Sequence, residues 1–137
     1  MAPPLSILVI DSNPAAELLY QALKSIGVAA SVVFCDSVGA SAHLAEFPAD
    51  LVLLEIVMAD SDGIELLKLI KQEHPATRVI ATSGGGACLP RDTVLYWAGR
   101  LGADVVLPKP FDCAQLERAL HDALSKGPAS TAQDCHP

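Results

Sequence analysis

Two carboxylates, a hydroxyl and an ammonium each stand where an apolar run of this chain stops. Ile7-Leu8-Val9-Ile10 stops at Asp11-Ser12, and Leu51-Val52-Leu53-Leu54 stops at Glu55. Arg78-Val79-Ile80-Ala81-Thr82 stops at Ser83, and Val105-Val106-Leu107-Pro108 stops at Lys109, ahead of Pro110 and Phe111. Paired carboxylates suit a hard cation or acid–base work, and a lysine brought against them changes the charge of both. These residues do such chemistry only if the fold carries them to one place.

The elements between them argue that it does. Apolar runs of four or five residues, alternating with helical patterns, are buried parallel strands. In an open α/β sheet the working crevice lies beyond the carboxyl ends of the strands, so Asp11, Ser12, Glu55, Ser83 and Lys109 are predicted to share one cleft. Five β/α units are legible. Strand Ser6 to Ile10 leads to a helix with Asp11, Ser12 and Asn13 as capping candidates and Pro14 in its first turn. Ala15, Leu18, Leu19, Ala22, Leu23 and Ile26 follow at helical spacing, and Gly27 stops the helix. Strand Ala30 to Phe34 precedes a short helix that Ser37 can cap and Pro48 closes. Asp50 to Glu55, the most apolar strand, belongs in the middle of the sheet. A loop from Val57 to Asp62, which Asp62 ends as a helix cap, gives way to a helix with Gly63, Leu66, Leu67 and Ile70 on one face, ended by His74-Pro75.

Strand Thr77 to Thr82 runs into the glycine loop Ser83 to Gly86. That loop lacks the Gly-Lys-Ser/Thr ending of a phosphate-binding P-loop. Pro90 opens a helix in which Val94, Trp97, Ala98 and Leu101 share a face, with Trp97 read as core, and Gly102 terminates it. Strand Asp104 to Leu107 and a last helix complete the pattern. Asp112 caps that helix, and Cys113, Leu116, Ala119, Leu120, Ala123 and Leu124 form its buried stripe. The expected division is one domain over residues 1–126 and a flexible, polar, Pro-containing tail over 127–137.

Composition narrows the function classes. Of the 137 residues, 51% are apolar and only 4% aromatic, so aliphatic side chains must fill the core. The formal net charge of −7 and the scatter of nine basic residues argue against nucleic acid as a partner, since phosphate contacts need clustered Lys and Arg. No apolar stretch approaches a membrane span and no signal peptide is legible, so the expectation is a cytoplasmic protein without membrane contact. Cys35, Cys88, Cys113 and Cys135 lack zinc-like spacing; Cys35 and Cys113 are read as core, and Cys135 and His136 as part of the tail. Asp11 and Ser83 also have plain structural uses, as a helix cap and as a strand end.

In order and spacing, the segments Ile7 to Asp11, Asp50 to Glu55, Asp62 to Leu67, Gly102-Ala103-Asp104 and Lys109-Pro110-Phe111 resemble the receiver domain of two-component response regulators over about residues 5 to 125. The glycine loop resembles that of stand-alone receivers. The resemblance implies an α/β, flavodoxin-like (βα)5 three-layer sandwich with a parallel sheet of order 2-1-3-4-5. It implies that the residue at the position of Glu55 accepts a phosphoryl group from a histidine kinase. Acids at 11 and 12 would hold Mg²⁺, Ser83 and Lys109 would bind phosphoryl oxygens, and an aromatic at 106 would change rotamer with the hydroxyl residue.

The chain departs from that pattern at four points: Glu55 replaces the acceptor Asp, Ser12 the second acid, Ala59 a loop proline and Val106 the switch aromatic. Glu carries its oxygens over ~1 Å further than Asp, off the line of phosphoryl attack and toward Lys109. With Ser12 in the acidic pocket, only Asp11 and Glu55 remain as carboxylate ligands, so Mg²⁺ is expected to bind weakly and no other cofactor is expected.

The expectation is a stand-alone, non-enzymatic signalling receiver of a two-component phosphorelay, phosphorylation-independent or phosphate-mimicking. It would act on a histidine kinase or another signalling protein through its fourth helix, fifth strand and fifth helix, with Tyr96, Arg100, Arg118 and His121 exposed there. Homodimerisation is left open. A nucleotide or flavin binder of flavodoxin shape, and an enzyme using Asp11 and Glu55 as acid and base, are the competing readings.

Overall fold

Side chains buried on both faces at once turn the apolar runs into strands: Ile7 to Ile10 and Leu51 to Leu54 are each at most 1% exposed. The structure, a computed structural model, describes residues 5–11, 13–25, 27, 30–58, 61–84 and 90–125. Strands β1 (Leu5–Ile10), β2 (Ala30–Cys35), β3 (Leu51–Glu55), β4 (Arg78–Ser83) and β5 (Val105–Pro108) alternate with helices α1 (Asn13–Ser25), α2 (Ser37–Glu46), α3 (Gly63–Glu73), α4 (Arg91–Arg100) and α5 (Cys113–Ser125). The five strands form one parallel sheet of order β2-β1-β3-β4-β5. This is the flavodoxin-like α/β architecture expected from the sequence.

The pleat sends alternate residues to opposite layers. Leu8, Ile10, Val52, Leu54, Val79 and Ala81 pack against α2, α3 and α4. Ile7, Val9, Leu51, Leu53, Ile80 and Leu107 pack against α1 and α5. Asp11, Glu55 and Lys109 each follow in step with the second set, so the same alternation that builds the core aims all three toward the α1/α5 side of the sheet's carboxyl edge.

Several expectations need correction. Val57–Met58 and Ser61–Asp62 pair as a small antiparallel ribbon within the expected loop. The α2 cap is Asp36 and not Ser37: its Oδ1 accepts from the Gly39 N–H at 2.9 Å, which its extended backbone one position earlier allows. Trp97 is 53% exposed, and Leu95 takes the buried place beside Val94 and Ala98. Both spacings are helical, and α4 lies over the sheet's edge strand, where less surface is available to cover an indole. Cys113 is exposed at the start of α5 and Leu124 is 40% exposed near its end, so the buried stripe is Leu116, Ala119, Leu120 and Ala123. Cys35 is half-buried; burial, then the Asp36 charge, pushes its thiol up to about 11, so it stays protonated. Asp112 does cap α5, in a reciprocal box with Gln115. Ser12, Ile26, Ala59, Cys88, Cys135, His136 and the tail fall outside the described residues.

Candidate functional site at the carboxyl edge of the sheet

β1 and β3 are neighbours, with Ile10 opposite Leu54, so the residues that follow them emerge side by side. Asp11 and Glu55 are accordingly close, and both are nearly closed to solvent, at 5% and 8% side-chain exposure. Lys109 arrives from β5 and bridges them. Its Nζ donates to Asp11 Oδ2 at 2.9 Å and lies 2.7 Å from Glu55 Oε1. The other Glu55 oxygen, Oε2, accepts the Val57 N–H at 3.0 Å. Burial works to lower the Lys109 pKa, but the hydrogen bonds it donates to Glu55 and Asp11, and their charges, outweigh it and hold the ammonium above its ordinary 10.5. Lys109 is therefore a cation at every physiological pH.

Neighbouring backbone fixes this cluster. The Ile56 N–H donates to the Thr82 carbonyl, and the Gly63 N–H to the Ile56 carbonyl. Gly63 has to be glycine: a Cβ there would stand 2.5 Å from the Ile56 oxygen and 2.8 Å from the Glu55 oxygen. The Lys109 N–H donates to the Ser83 carbonyl at 3.0 Å, and the Arg91 guanidinium donates to the Lys109 carbonyl at 2.9 Å. The Lys109–Pro110 peptide is cis. One residue on each side thus ties the lysine backbone to β4 and to the start of α4.

The structure brings together Asp11, Glu55 and Lys109. Ser83 is fully buried at the end of β4, opposite Pro108, and Thr82 stands opposite Glu55. Val106 lies apart from the cluster on the edge strand, 39% exposed, opposite Ala81 and beside Gly99, which carries no side chain to cover it. Ser12 is outside the described residues. Sequence reading missed Arg91 and Thr82. Neither has a local signal, since each matters only through a pairing between distant segments. It also missed an open groove of about 430 Å³ beside the cluster, lined by Leu19, Ala22, Gly84, Pro110 and Phe111 together with Asp11 and Lys109.

Asp11 and Glu55 are the carboxylates that the cluster offers a divalent cation. Among the described residues no group of three or more His, Cys, Asp or Glu stands together. The two carboxylates present already share the Lys109 ammonium, and Mg²⁺ would have to compete with it for hard oxygen ligands.

A parallel five-stranded sheet of this order, sandwiched by helices and carrying an acid–acid–lysine cluster at its carboxyl edge, defines a flavodoxin-like (βα)5 domain with its site at the strand ends. A family model for the response regulator receiver domain matches residues 7–121, and the chain belongs to that family. It is 32% identical over 127 residues to the transcriptional regulatory protein CpxR of Escherichia coli (strain K12), covering 93% of this chain and 52% of CpxR. It is 29% identical over 119 residues to a protein-glutamate methylesterase/protein-glutamine glutaminase of Cereibacter sphaeroides, covering 85% of this chain and 31% of that protein. The chain therefore spans about half or less of the length of these curated relatives. The receiver domain of NtrX from Brucella abortus superposes with a TM-score of 0.77 at 28% identity, over 89% of this chain and 99% of that one. A CheY-like receiver from Methanospirillum hungatei JF-1 shares the fold, with a TM-score of 0.74 at 21% identity over 89% of this chain and 94% of that one. The chain is a receiver domain of response-regulator signalling. Among the described residues no helix is long and apolar enough to cross a membrane.

Proposed function

We propose that this receiver signals without taking a phosphoryl group at Glu55, and that it acts by protein–protein contact through its own surface rather than by catalysis. One observation carries the reading: the Lys109 ammonium stands 2.7 Å from Glu55 Oε1. The cation that would otherwise meet phosphoryl oxygens is already engaged by a carboxylate of the chain itself. The extra methylene of Glu supplies the reach, over ~1 Å beyond that of Asp, and moves the carboxylate off the line of attack. Asp11 and Glu55 hold Mg²⁺ only weakly in this reading, Ser83 and Lys109 form the remnant of a phosphate pocket, and Val106 has no ring with which to report a rotamer change.

The output surface in this proposal is α4, β5 and α5. Tyr96 and Trp97 meet edge to face at 5.6 Å and are 59% and 53% exposed. Val106, Arg100, Arg118 and His121 are exposed with them. Exposed aromatic and arginine side chains are the residues most used as anchors at protein interfaces. A histidine kinase or another signalling protein is the partner that suits this face, and a second copy of the chain is an alternative occupant of it. The acidic charge of the chain disfavours nucleic acid. The functional unit in this proposal is residues 1–126.

The test is incubation with Mg²⁺ and phosphoramidate, followed by intact-mass measurement. The wild-type chain is expected to gain no mass, whereas the double variant Ser12→Asp, Glu55→Asp gains one phosphoryl group that mild base removes. A phosphoryl group mapped to Glu55 in the wild-type chain overturns the proposal.

A further inference from the structure

The two edge strands of the sheet are protected unequally. β5 has four residues, ends in Pro108, and is packed by both α4 and α5. β2 has six residues, Ala-Ser-Val-Val-Phe-Cys, with neither a proline nor a charge among them. It is the last strand in the sheet order, and among the described residues β1 is its strand partner, in an unbroken register from Ala30 to Cys35. The outer row of β2 backbone N–H and C=O groups is therefore a template for a further strand. Folded proteins usually blunt such an edge with a lysine, a proline, a bulge or a short strand, and β2 carries none of these.

The side chains of this edge are apolar on both faces of the sheet. Val32 packs on the α1 side and Cys35 on the α2 side, so alternation puts Phe34 with the first and Val33 with the second. Val33 is 40% and Phe34 39% exposed, and Ser31 is exposed with them. The Phe34 ring meets Tyr20 of α1 edge to face at 5.8 Å, and the Lys24 ammonium lies 5.3 Å over that same Tyr20 ring. A cation thus flanks the edge from the end of α1 that leads into β2. Asp36, exposed and capping α2, follows the other end of the strand.

These charges select the occupant and its direction. A second copy laid antiparallel about a two-fold axis sets an uncharged strand against itself and brings the Asp36 end of each strand to the Lys24 end of the other, twice by symmetry. A parallel arrangement would set Asp36 beside Asp36. The antiparallel pairing also closes at two copies, because it uses up the open edge of each. A six-residue strand is about 20 Å long and would bury on the order of 500 Å² per copy, at the low end for specific interfaces, so the pair is weak and concentration-dependent.

We propose that β2 is a docking strand for a second copy of this chain, which extends the sheet antiparallel across the two-fold axis. The edge lies across the sheet from the α4–β5–α5 face, so the proposal stands independently of the output surface and of the absence of phosphoryl transfer at Glu55.

Sedimentation velocity from about 10 to 500 µM is expected to show monomer passing to dimer near 100 µM, in keeping with so small an interface. Over the same range, alternate β2 amides, those directed away from β1, should exchange more slowly with solvent while β5 amides do not change. Val33→Lys and, separately, Ser31→Lys place a charge on the edge at exposed positions and should each weaken association about tenfold or more. Circular dichroism and thermal unfolding check that both variants keep the fold. Lys24→Glu should weaken association too, and Trp97→Glu should leave it unchanged. A chain that stays monomeric throughout, or that grows beyond the dimer, would overturn the proposal. So would a dimer that survives both edge lysines, or one that Trp97→Glu abolishes, which would place the second copy on the α4–β5–α5 face. A dimer indifferent to Lys24→Glu would overturn the antiparallel arrangement.

Discussion

The two edges of this sheet both carry an aspartate bonded to a lysine, and they use the pair differently. At the amino edge, Asp104 Oδ2 accepts the Val79 N–H at 2.8 Å and the Lys71 ammonium at 3.0 Å, with Arg78 at 3.9 Å from its other oxygen. Lys71 also donates to the Thr77 carbonyl, the Thr77 hydroxyl to the Ala49 carbonyl, and the Ser6 N–H to Asp50 Oδ2. These polar side chains each close on the backbone of a neighbouring element and so stitch strand starts together. At the carboxyl edge, the Lys109 ammonium bonds the side chains of both Asp11 and Glu55, with the Val57 N–H as the backbone partner of Glu55. A clasp made to backbone is part of the fold. A cluster made of side chains can be rearranged, by a ligand or by substitution, while the strands beneath it stay put.

The sharpest test of that contrast is at the amino edge, where the largest loss is expected. Asp104→Ala leaves the Val79 N–H without its acceptor and the Lys71 ammonium with the Thr77 carbonyl but no counter-charge, and should cost about 3 kcal/mol, as removing one member of a largely buried pair does. The readout is a lowered urea midpoint with an unchanged slope. A loss no greater than that of a site variant would break the comparison.

Lys109→Met comes next. It keeps most of the stem but removes the cation that Asp11 and Glu55 share, for an expected loss of about 2 kcal/mol at neutral pH, less than for a fully buried pair because Lys109 is a quarter exposed. The effect has a pH signature. Lys109 has a folded pKa above its ordinary 10.5, so its contribution to stability is complete below 10.5 and fades as pH rises through the higher folded value. The stability gap between wild type and Lys109→Met should therefore stay constant from neutral pH to 10 and shrink above that. A gap that already closes between pH 7 and 9 would mean that the ammonium is not held by the two carboxylates.

The same contrast explains what could be read from the sequence. The five strands were legible because each is a short aliphatic run bounded by turn residues, and the convergence of Asp11, Glu55 and Lys109 follows from parallel topology once those runs are strands. The face of α4 was not legible: Leu95 and Trp97 both fit helical spacing with Val94 and Ala98, and only the position of α4 over the edge strand decides between them. Gly102-Ala103-Asp104 was visible as a motif but without a reason, since the partners of Asp104 lie on α3 and β4. The groove was invisible for a related cause. Leu19 and Ala22 look like ordinary core positions of α1, and the gap before Pro110 and Phe111 depends on how far one helix stands from one loop. Periodicity reports which face of an element is apolar, not how closely another element approaches it.

The smallest expected effect is also the one that bears most directly on phosphate imitation. Glu55→Gln keeps an amide oxygen for the Val57 N–H and removes only the charge, leaving Lys109 balanced one-to-one by Asp11; the expected cost is about 1 kcal/mol. Glu55→Ala removes the acceptor as well, and the Val57 amide should then exchange about tenfold faster, as loss of one hydrogen bond of roughly 1.4 kcal/mol requires. The Lys109 amide, which donates to the Ser83 carbonyl, reports whether release of the side chain loosens the joint between β4 and β5. In the imitation reading both variants speed exchange at Lys109, because the Glu55 charge is what holds the lysine in place, and Gln is no better than Ala there. If exchange at Lys109 is unchanged in both while Val57 responds only to Ala, the carboxylate serves as a local loop acceptor, Asp11 alone positions the lysine, and Glu55 marks an inert site rather than a standing signal.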